Sequence, residues 1–419
     1  MPFPQTPDPH SILLMGFGQS NADVHDAGPR LAIEIEDAMP IFMPNDGKMI
    51  RGHMGKYTRD TPITGFDHIS TSPPTVQSLL VATAARLLHD LGDAVPDRVI
   101  VRTEARGGRR FLGIEKNGVL IDGIYRNHDG AYSIIFDYLM TTIRECIAAA
   151  QADNCPIRLI NMVWLHGESD RALTREVYHD LFLTLIDDVE SRLADTGIAI
   201  HWTVVQPSGT GAEGNGNAWP NRLAIFDLAD KRANIDVPVT GYAFAQHDAS
   251  HYSAEGKLLL GESLGRAIAQ RLTGTGSPLP QPVRAEIDDC DVVLTIAADA
   301  PIVLDTQMLP QPDITLQGFS SHDKHNAILQ EVTVEGPRQL RLRFNSAPDP
   351  ATLMIHYAYR NRNRVEVSQD VHYPAGRGCL RTTWSAPSCL MTGRHIYDWA
   401  AGFSIRVADL VLHDTKDDA

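Results

Sequence analysis

From residue 11 onward the chain alternates short apolar runs with longer stretches whose apolar positions recur at intervals of three and four. The run SILLM, 11–15, is continuously apolar and short, as expected of a strand covered on both faces. In PPTVQSLLVATAARLLHDLG, 73–92, Val76, Leu79, Leu80, Ala84, Leu87, Leu88 and Leu91 share one helical face. Pro73 and Pro74 suit the first turn of that helix and Gly92 its end. The same reading predicts strands over 98–103, 157–165, 198–206 and 237–244. It predicts helices over 132–153, 175–197, 221–233 and 253–272. Five strands, each followed by a helix, predict a parallel sheet with helices on both faces, an α/β domain over 1–272.

The period changes after TGTGSPLPQP, 273–282, which reads as a linker. In RQLRLRF, 338–344, Leu340, Leu342 and Phe344 alternate with Arg341 and Arg343, the two-residue repeat of a half-buried strand. Similar runs separated by Gly-Pro and Asp-Pro turns predict a smaller antiparallel, sandwich-like β domain over 283–419, with a frayed end after about residue 412.

A length of 419 residues favours two domains, and 43% hydrophobic with 21% charged residues is the composition of a soluble globular protein. The net charge of −15 argues against nucleic acid or an anionic membrane surface as partner and leaves a neutral or cationic small substrate open. Oligomeric state is left undetermined. No run of 18 apolar residues spans a bilayer, and MPFPQTPDPH has neither the basic stretch nor the apolar core of a secretory signal, so the expectation is a cytoplasmic protein. The five cysteines, Cys146, Cys155, Cys290, Cys379 and Cys389, are scattered and read as reduced thiols; Cys379 and Cys389 lie near enough in sequence to pair if the protein were exported.

The chemistry concentrates just after the predicted strands. After the first comes GFGQSNAD, with Gln19, Ser20 and Asn21; after the second EARGGRR, with Gly107 and Gly108. After the third comes HGESD, with His166, Glu168 and Asp170; after the fifth QHDASHY, with Asp248 and His251. In an open parallel sheet these loops share the carboxyl edge, where ligands bind. A serine hydroxyl needs a base to take its proton, and imidazole, ordinarily near pKa ~6.5, is suited to the task. Asp248, three residues before His251, is placed to orient that ring. A tetrahedral oxyanion needs fixed donors, which the backbone N–H groups of Gly108 and Ser20 could supply. Trp164 reads as core.

Taken in order, GQSN, GG, W-x-x-G-E-x-D and D-x-x-H-Y resemble the SGNH/GDSL-type hydrolases, and most closely their branch of sialic-acid acetylesterase-like carbohydrate esterases. The resemblance covers about residues 11–272. It implies a three-layer α/β/α, flavodoxin-like domain and a cofactor-free esterase acting on an O-acetylated sugar or glycan, with Ser20 as nucleophile, His251 as base and Asp248 as its orienting acid. Gly108 and His166 would be oxyanion donors, with Gln19, Asn21 and Glu168 beside them. This chain departs from the family in carrying His166 where Gln or Asn is usual. Glu168 and Asp170 are taken to order their loop.

Two other readings stand beside this one. A non-catalytic glycan-binding or assembly protein could keep the same scaffold. A zinc hydrolase could draw ligands from His166, Glu168, Asp170, His247, Asp248 and His251, but it would leave Ser20 and the two glycines without a role. Two motif matches are set aside. GESLG, 261–265, fits a nucleophile elbow but falls inside a predicted helix, where small residues permit close helix–sheet packing. GTGAEG, 209–214, lacks the helix and acidic partner of a dinucleotide site and reads as a loop over the cleft.

Overall fold

The alternating pattern closes into one mixed sheet with helices on both sides. The structure, a computed structural model, describes residues 9–23, 31, 33, 35–36, 38–47, 50, 52, 61–69, 78–208, 219–248, 250–276, 279–307, 316–359, 365–368, 371–373 and 377–411. In chain order the first elements are β1 (Ser11–Gly18), β2 (Ile41–Pro44), β3 (Phe66–His68), α1 (Leu79–Leu91), β4 (Arg98–Ala105), β5 (Ile114–Lys116), β6 (Val119–Ile121), α2 (Ile134–Ala152) and β7 (Ile157–Leu165). They are followed by α3 (Arg175–Leu193), β8 (Ala199–Gln206), α4 (Asn221–Lys231), β9 (Ile235–Thr240) and α5 (Ala254–Thr273).

The sheet has seven strands in the order β3-β2-β4-β1-β7-β8-β9, and its five expected members run parallel. Two strands were not expected. β2 joins β4 in parallel over two residue pairs, and β3 pairs antiparallel with β2 at the edge. They are four and three residues long, too short to carry a readable period. β9 also begins and ends earlier than 237–244.

Successive side chains of a strand face opposite ways, and β1 shows the consequence. Ile12 and Leu14 join one apolar cluster with α1 and α5, whereas Leu13, Met15 and Phe17 join another with α2, α3 and α4. All five side chains are at most 1% exposed. α1 starts later than the apolar pattern: Ser78 caps it, its Oγ accepting from Leu80 N–H at 3.2 Å, and Pro73, Pro74 and Val76 lie outside the described residues. α5 is bounded by the Ser253 side chain, which accepts from Gly256 N–H, and by Gly274 at φ +73°.

GESLG lies within α5, and the Ser263 hydroxyl donates to the Leu259 carbonyl one turn back at 2.9 Å. The small residues serve helix–helix rather than helix–sheet packing. A Cβ on Gly261 or Gly265 would lie 2.3 Å from the carbonyl oxygens of Leu79 and Thr83 in α1. GTGAEG and the C-terminal tail fall outside the described residues.

Beyond α5 every strand pairing among the described residues is antiparallel: β10 (Gln281–Asp288), β11 (Asp291–Ala297), β12 (Ile302–Leu304), β13 (Phe319–His322), β14 (Leu329–Gly336), β15 (Gln339–Phe344), β16 (Met354–Tyr357), β17 (Val365–Ser368), β18 (Val371–Tyr373), β19 (Leu380–Pro387), β20 (His395–Trp399) and β21 (Phe403–Arg406). They form small sheets of two to four strands. In β15, Leu340, Leu342 and Phe344 are buried, while Arg341 and Arg343 both pair with Asp291.

One apolar cluster runs without a break from α1 and α5 into this β region, taking in Leu294, Tyr357 and Phe403. Polar contacts cross the same boundary. Gln206, at the end of β8, donates to the Gly402 carbonyl and accepts from its N–H. Buried Glu262 of α5 accepts from Cys389 N–H and from the Ser388 hydroxyl, and Arg266 pairs with Asp398. Cys379 and Cys389 are free thiols, as are the other three cysteines.

Candidate active site

The loops that follow β1, β4, β7 and β9 meet at one edge of the sheet. β1 ends at Gly18, whose φ of +141° lies outside the range that a side chain tolerates. A Cβ there would sit 2.1 Å from the Leu165 carbonyl oxygen. The turn beyond is closed by Ala22 and Asp23 N–H groups donating to the Gln19 carbonyl, which leaves Ser20 at its outer corner.

The Ser20 hydroxyl lies 3.0 Å from Nε2 of His251, 231 residues away in sequence. On the other side of the ring, Nδ1 of His251 is 2.7 Å from Oδ2 of Asp248. The second carboxylate oxygen accepts from the backbone N–H groups of Ser250 and His251 at 2.7 and 2.8 Å. Burial alone would raise the Asp248 carboxyl. The hydrogen bonds from the His251 ring and the two backbone amides outweigh it and hold the group below its ordinary range. Asp248 is therefore an anion that fixes the His251 tautomer with Nδ1 protonated and Nε2 facing the serine oxygen.

The glycine pair lies against the same serine. A Cβ on Gly107 would be 3.4 Å from that of Ser20, and Gly108 has φ +71° with open space where a Cβ would sit. Neither Ser20 N–H nor Gly108 N–H donates to another backbone or side-chain group among the described residues.

The remaining expected residues turn inward. Gln19, 2% exposed, accepts from Ser169 N–H through its side-chain oxygen and donates its own N–H to the Leu165 carbonyl. The Asn21 amide, equally buried, donates to Glu168 Oε1 at 2.7 Å and to the Ser250 carbonyl at 3.0 Å, and its oxygen accepts from Tyr252 N–H. Asn21 thus joins three of the four loops. Glu168 is enclosed, and burial raises its carboxyl despite the Asn21 hydrogen bond.

His166 lies within an aromatic group, its ring 4.7 Å from that of Phe111, 5.2 Å from Trp164 and 6.0 Å from Tyr178. Loss of water pushes its pKa down to about 3, so the ring is neutral and has one N–H. Nε2 lies 3.2 Å from the Arg109 carbonyl and Nδ1 3.3 Å from the Tyr178 hydroxyl. The ring is thus engaged inside the protein at both nitrogens, which differs from the donor toward the cleft expected at this position. Asp170 accepts from Phe111 N–H at 2.7 Å. His166 and Asp170 together hold the 109–111 segment that follows Gly108. Trp164 stacks on Phe182 at 4.6 Å and is fully buried.

The parts that sequence reasoning missed are the Asn21–Glu168–Ser250 junction and the contact of His166 with Arg109. The only signal for either was the polar character of these residues beside a strand end. Among the described residues, no group of three or more His, Cys, Asp or Glu side chains is arranged to hold a metal ion. No helix of the described residues is long and apolar enough to cross a membrane.

The chain matches no protein-family model, and no curated protein matches it. Among solved structures it is similar to a carbohydrate acetylesterase from Xanthomonas citri, at 14% identity and a TM-score of 0.51, over 94% of this chain and 80% of that one. That likeness is one of fold. NanS, at 14% identity and a TM-score of 0.40, and a protein from Arabidopsis thaliana, at 17% and 0.39, each cover 63% of this chain.

Proposed function

We propose that this protein is a serine esterase that removes O-acetyl or other short acyl groups from a sugar or glycan, without a metal or cofactor. The observation that carries this reading is the continuous line from Ser20 Oγ through the His251 ring to the Asp248 carboxylate. The sugar ester as substrate draws on the resemblance in the motifs and on the fold shared with an acetylesterase from Xanthomonas citri.

In this mechanism Ser20 Oγ attacks the ester carbonyl while His251 Nε2 takes its proton. The oxyanion is met by the N–H groups of Ser20 and Gly108, two donors on adjacent loops with no competing acceptor among the described residues. Collapse breaks the bond to the sugar oxygen, which receives the proton from His251. A water molecule, deprotonated by the same imidazole, then releases the acid and restores Ser20. His166 acts through the Arg109 carbonyl, keeping the Gly108 loop in place, and Gln19, Asn21 and Glu168 fix the mutual position of the loops.

The test is turnover of p-nitrophenyl acetate by the full chain and by Ser20→Ala. A fall in kcat of about 10⁴-fold or more is expected. A rate near that of the unsubstituted protein discards the assignment. Mass spectrometry after treatment with a serine-directed phosphonate should show a single adduct on Ser20, whereas a non-catalytic glycan-binding scaffold would remain unlabelled. Released acetate from a panel of acetylated mono- and oligosaccharides then identifies the sugar.

A further inference from the structure

The segment that follows Gly107 and Gly108 runs into the hairpin of β5 and β6. Its turn residues, Asn117 and Gly118, have φ of +54° and +75°, the left-handed pair of a two-residue type I′ turn. Across the ladder Lys116 faces Val119, Glu115 faces Leu120 and Ile114 faces Ile121. In such a hairpin the pair beside the turn exchanges its bonds inward, so the next pair, Glu115 and Leu120, directs its N–H and C=O groups outward. Neither group of Leu120 reaches another backbone or side-chain atom among the described residues. The Leu120 and Val119 side chains are 65% and 61% exposed, more than any other large apolar strand residue among those described. Adjacent strand residues point to opposite faces, so the hairpin is open on both.

An open edge with apolar side chains is a template for another strand, and proteins ordinarily blunt such edges with charge. The edge strands β3, β10 and β14 carry Asp67, Glu286 and Glu331, whereas β6 is Val119-Leu120-Ile121 with no charge at all. A two-stranded ladder by itself is marginal in water. A second copy of β6 completes it without conflict. Antiparallel pairing centred on Leu120 lets the two Leu120 residues exchange both outward bonds and sets Val119 opposite Ile121 of the partner subunit. Glu115 and Lys116 then stay on the outer strands. The two Glu115 carboxylates lie three strand spacings apart, about 14 Å, beyond the screening length of ~8 Å at physiological salt. Charge favours the same place. A net −15 repels a copy over most of the surface, but residues 106–130 hold five Lys and Arg against three Asp and Glu. That stretch is the near-balanced part of an acidic chain.

We propose that β6 is a docking edge for a second copy of this chain, the two hairpins joining through Leu120 into one four-stranded sheet. The inference holds whether or not Ser20 is catalytic. A joint of this size belongs with small, transient interfaces, so a dissociation constant on the order of 10⁻⁵–10⁻⁴ M is expected. Sedimentation velocity of the full chain from about 2 to 200 μM should show monomer giving way to dimer. Leu120→Lys, at an exposed position that leaves the fold intact by circular dichroism, should weaken association roughly tenfold or more. Leu120→Cys brings two thiols to the centre of the joint, where paired Cα atoms lie about 5.5 Å apart, within disulfide reach. Mild oxidation should crosslink it to a dimer, whereas Glu115→Cys, on the outer strand, should crosslink no faster than the unsubstituted protein with its five free thiols. Monomer alone at every concentration, a dimer undiminished in Leu120→Lys, or equal crosslinking of the two cysteine variants overturns the proposal.

Discussion

The imidazole of His166, shut among Phe111, Trp164 and Tyr178, has no water to stabilise a charge, and its pKa is pushed down to about 3. In the unfolded chain the same ring titrates near ~6.5. Between these values the unfolded state binds the extra proton, so the stability tied to neutral His166 is present above ~6.5 and lost as pH falls toward about 3. Asp170 runs the other way. Burial raises its carboxyl from 3.8 to about 6 against the pull of Phe111 N–H. Its contribution is full below 3.8 and lost as pH rises through about 6. His166→Gln, whose amide can still donate to the Arg109 carbonyl, should therefore gain in melting temperature relative to the parent as pH falls below ~6.5. Asp170→Asn should flatten the loss of stability between pH 3.8 and about 6. Parallel melting curves for all three proteins would refute both. At this scale the sequence was legible where the contact is local: Asp248 and His251 lie three residues apart, and their contact follows from that spacing. It was not legible for Gln19, Asn21 and His166. Their directions are set by partners on other loops, 147 residues away for Asn21 and Glu168.

Elements were readable when long and periodic, and unreadable when short. The five central strands and their helices follow the apolar pattern, whereas β2 and β3 owe their conformation to the strand beside them rather than to their own residues. α5 shows how an element can defy intrinsic preference. Glycine inside a helix ordinarily costs about 0.5–1 kcal/mol relative to alanine. Gly261 and Gly265 are nevertheless required, because a methyl group at either would meet the backbone of α1. Gly261→Ala and Gly265→Ala should each destabilise by about 1–3 kcal/mol in urea unfolding, opposite in sign to the propensity effect. A stabilised variant would mean that the two helices are not in backbone contact.

Over the whole molecule, the change of period after residue 272 marks a change of architecture but not a break in the core. The cluster that joins α1 and α5 to Leu294, Tyr357 and Phe403 is shared. So are the Gln206–Gly402 and Glu262–Cys389 contacts, which cross the boundary. Scanning calorimetry of the full chain should accordingly show one cooperative transition in which the helical and β-region signals vanish together. Two resolved transitions would show that the parts fold apart. A composition shift is visible in sequence, but burial across a boundary is not, since the apolar face of α5 reads the same whichever partner covers it. The capping serine of α5 lies two residues beyond His251, and the helix's middle is gripped by α1 on one flank and by Ser388, Cys389 and Asp398 on the other. The His251 ring is thereby mounted on a beam anchored in the C-terminal strands. Grafting the half that carries Ser20 and His251 onto a foreign module would loosen that mounting unless the replacement reproduced the sockets for Glu262 and Arg266.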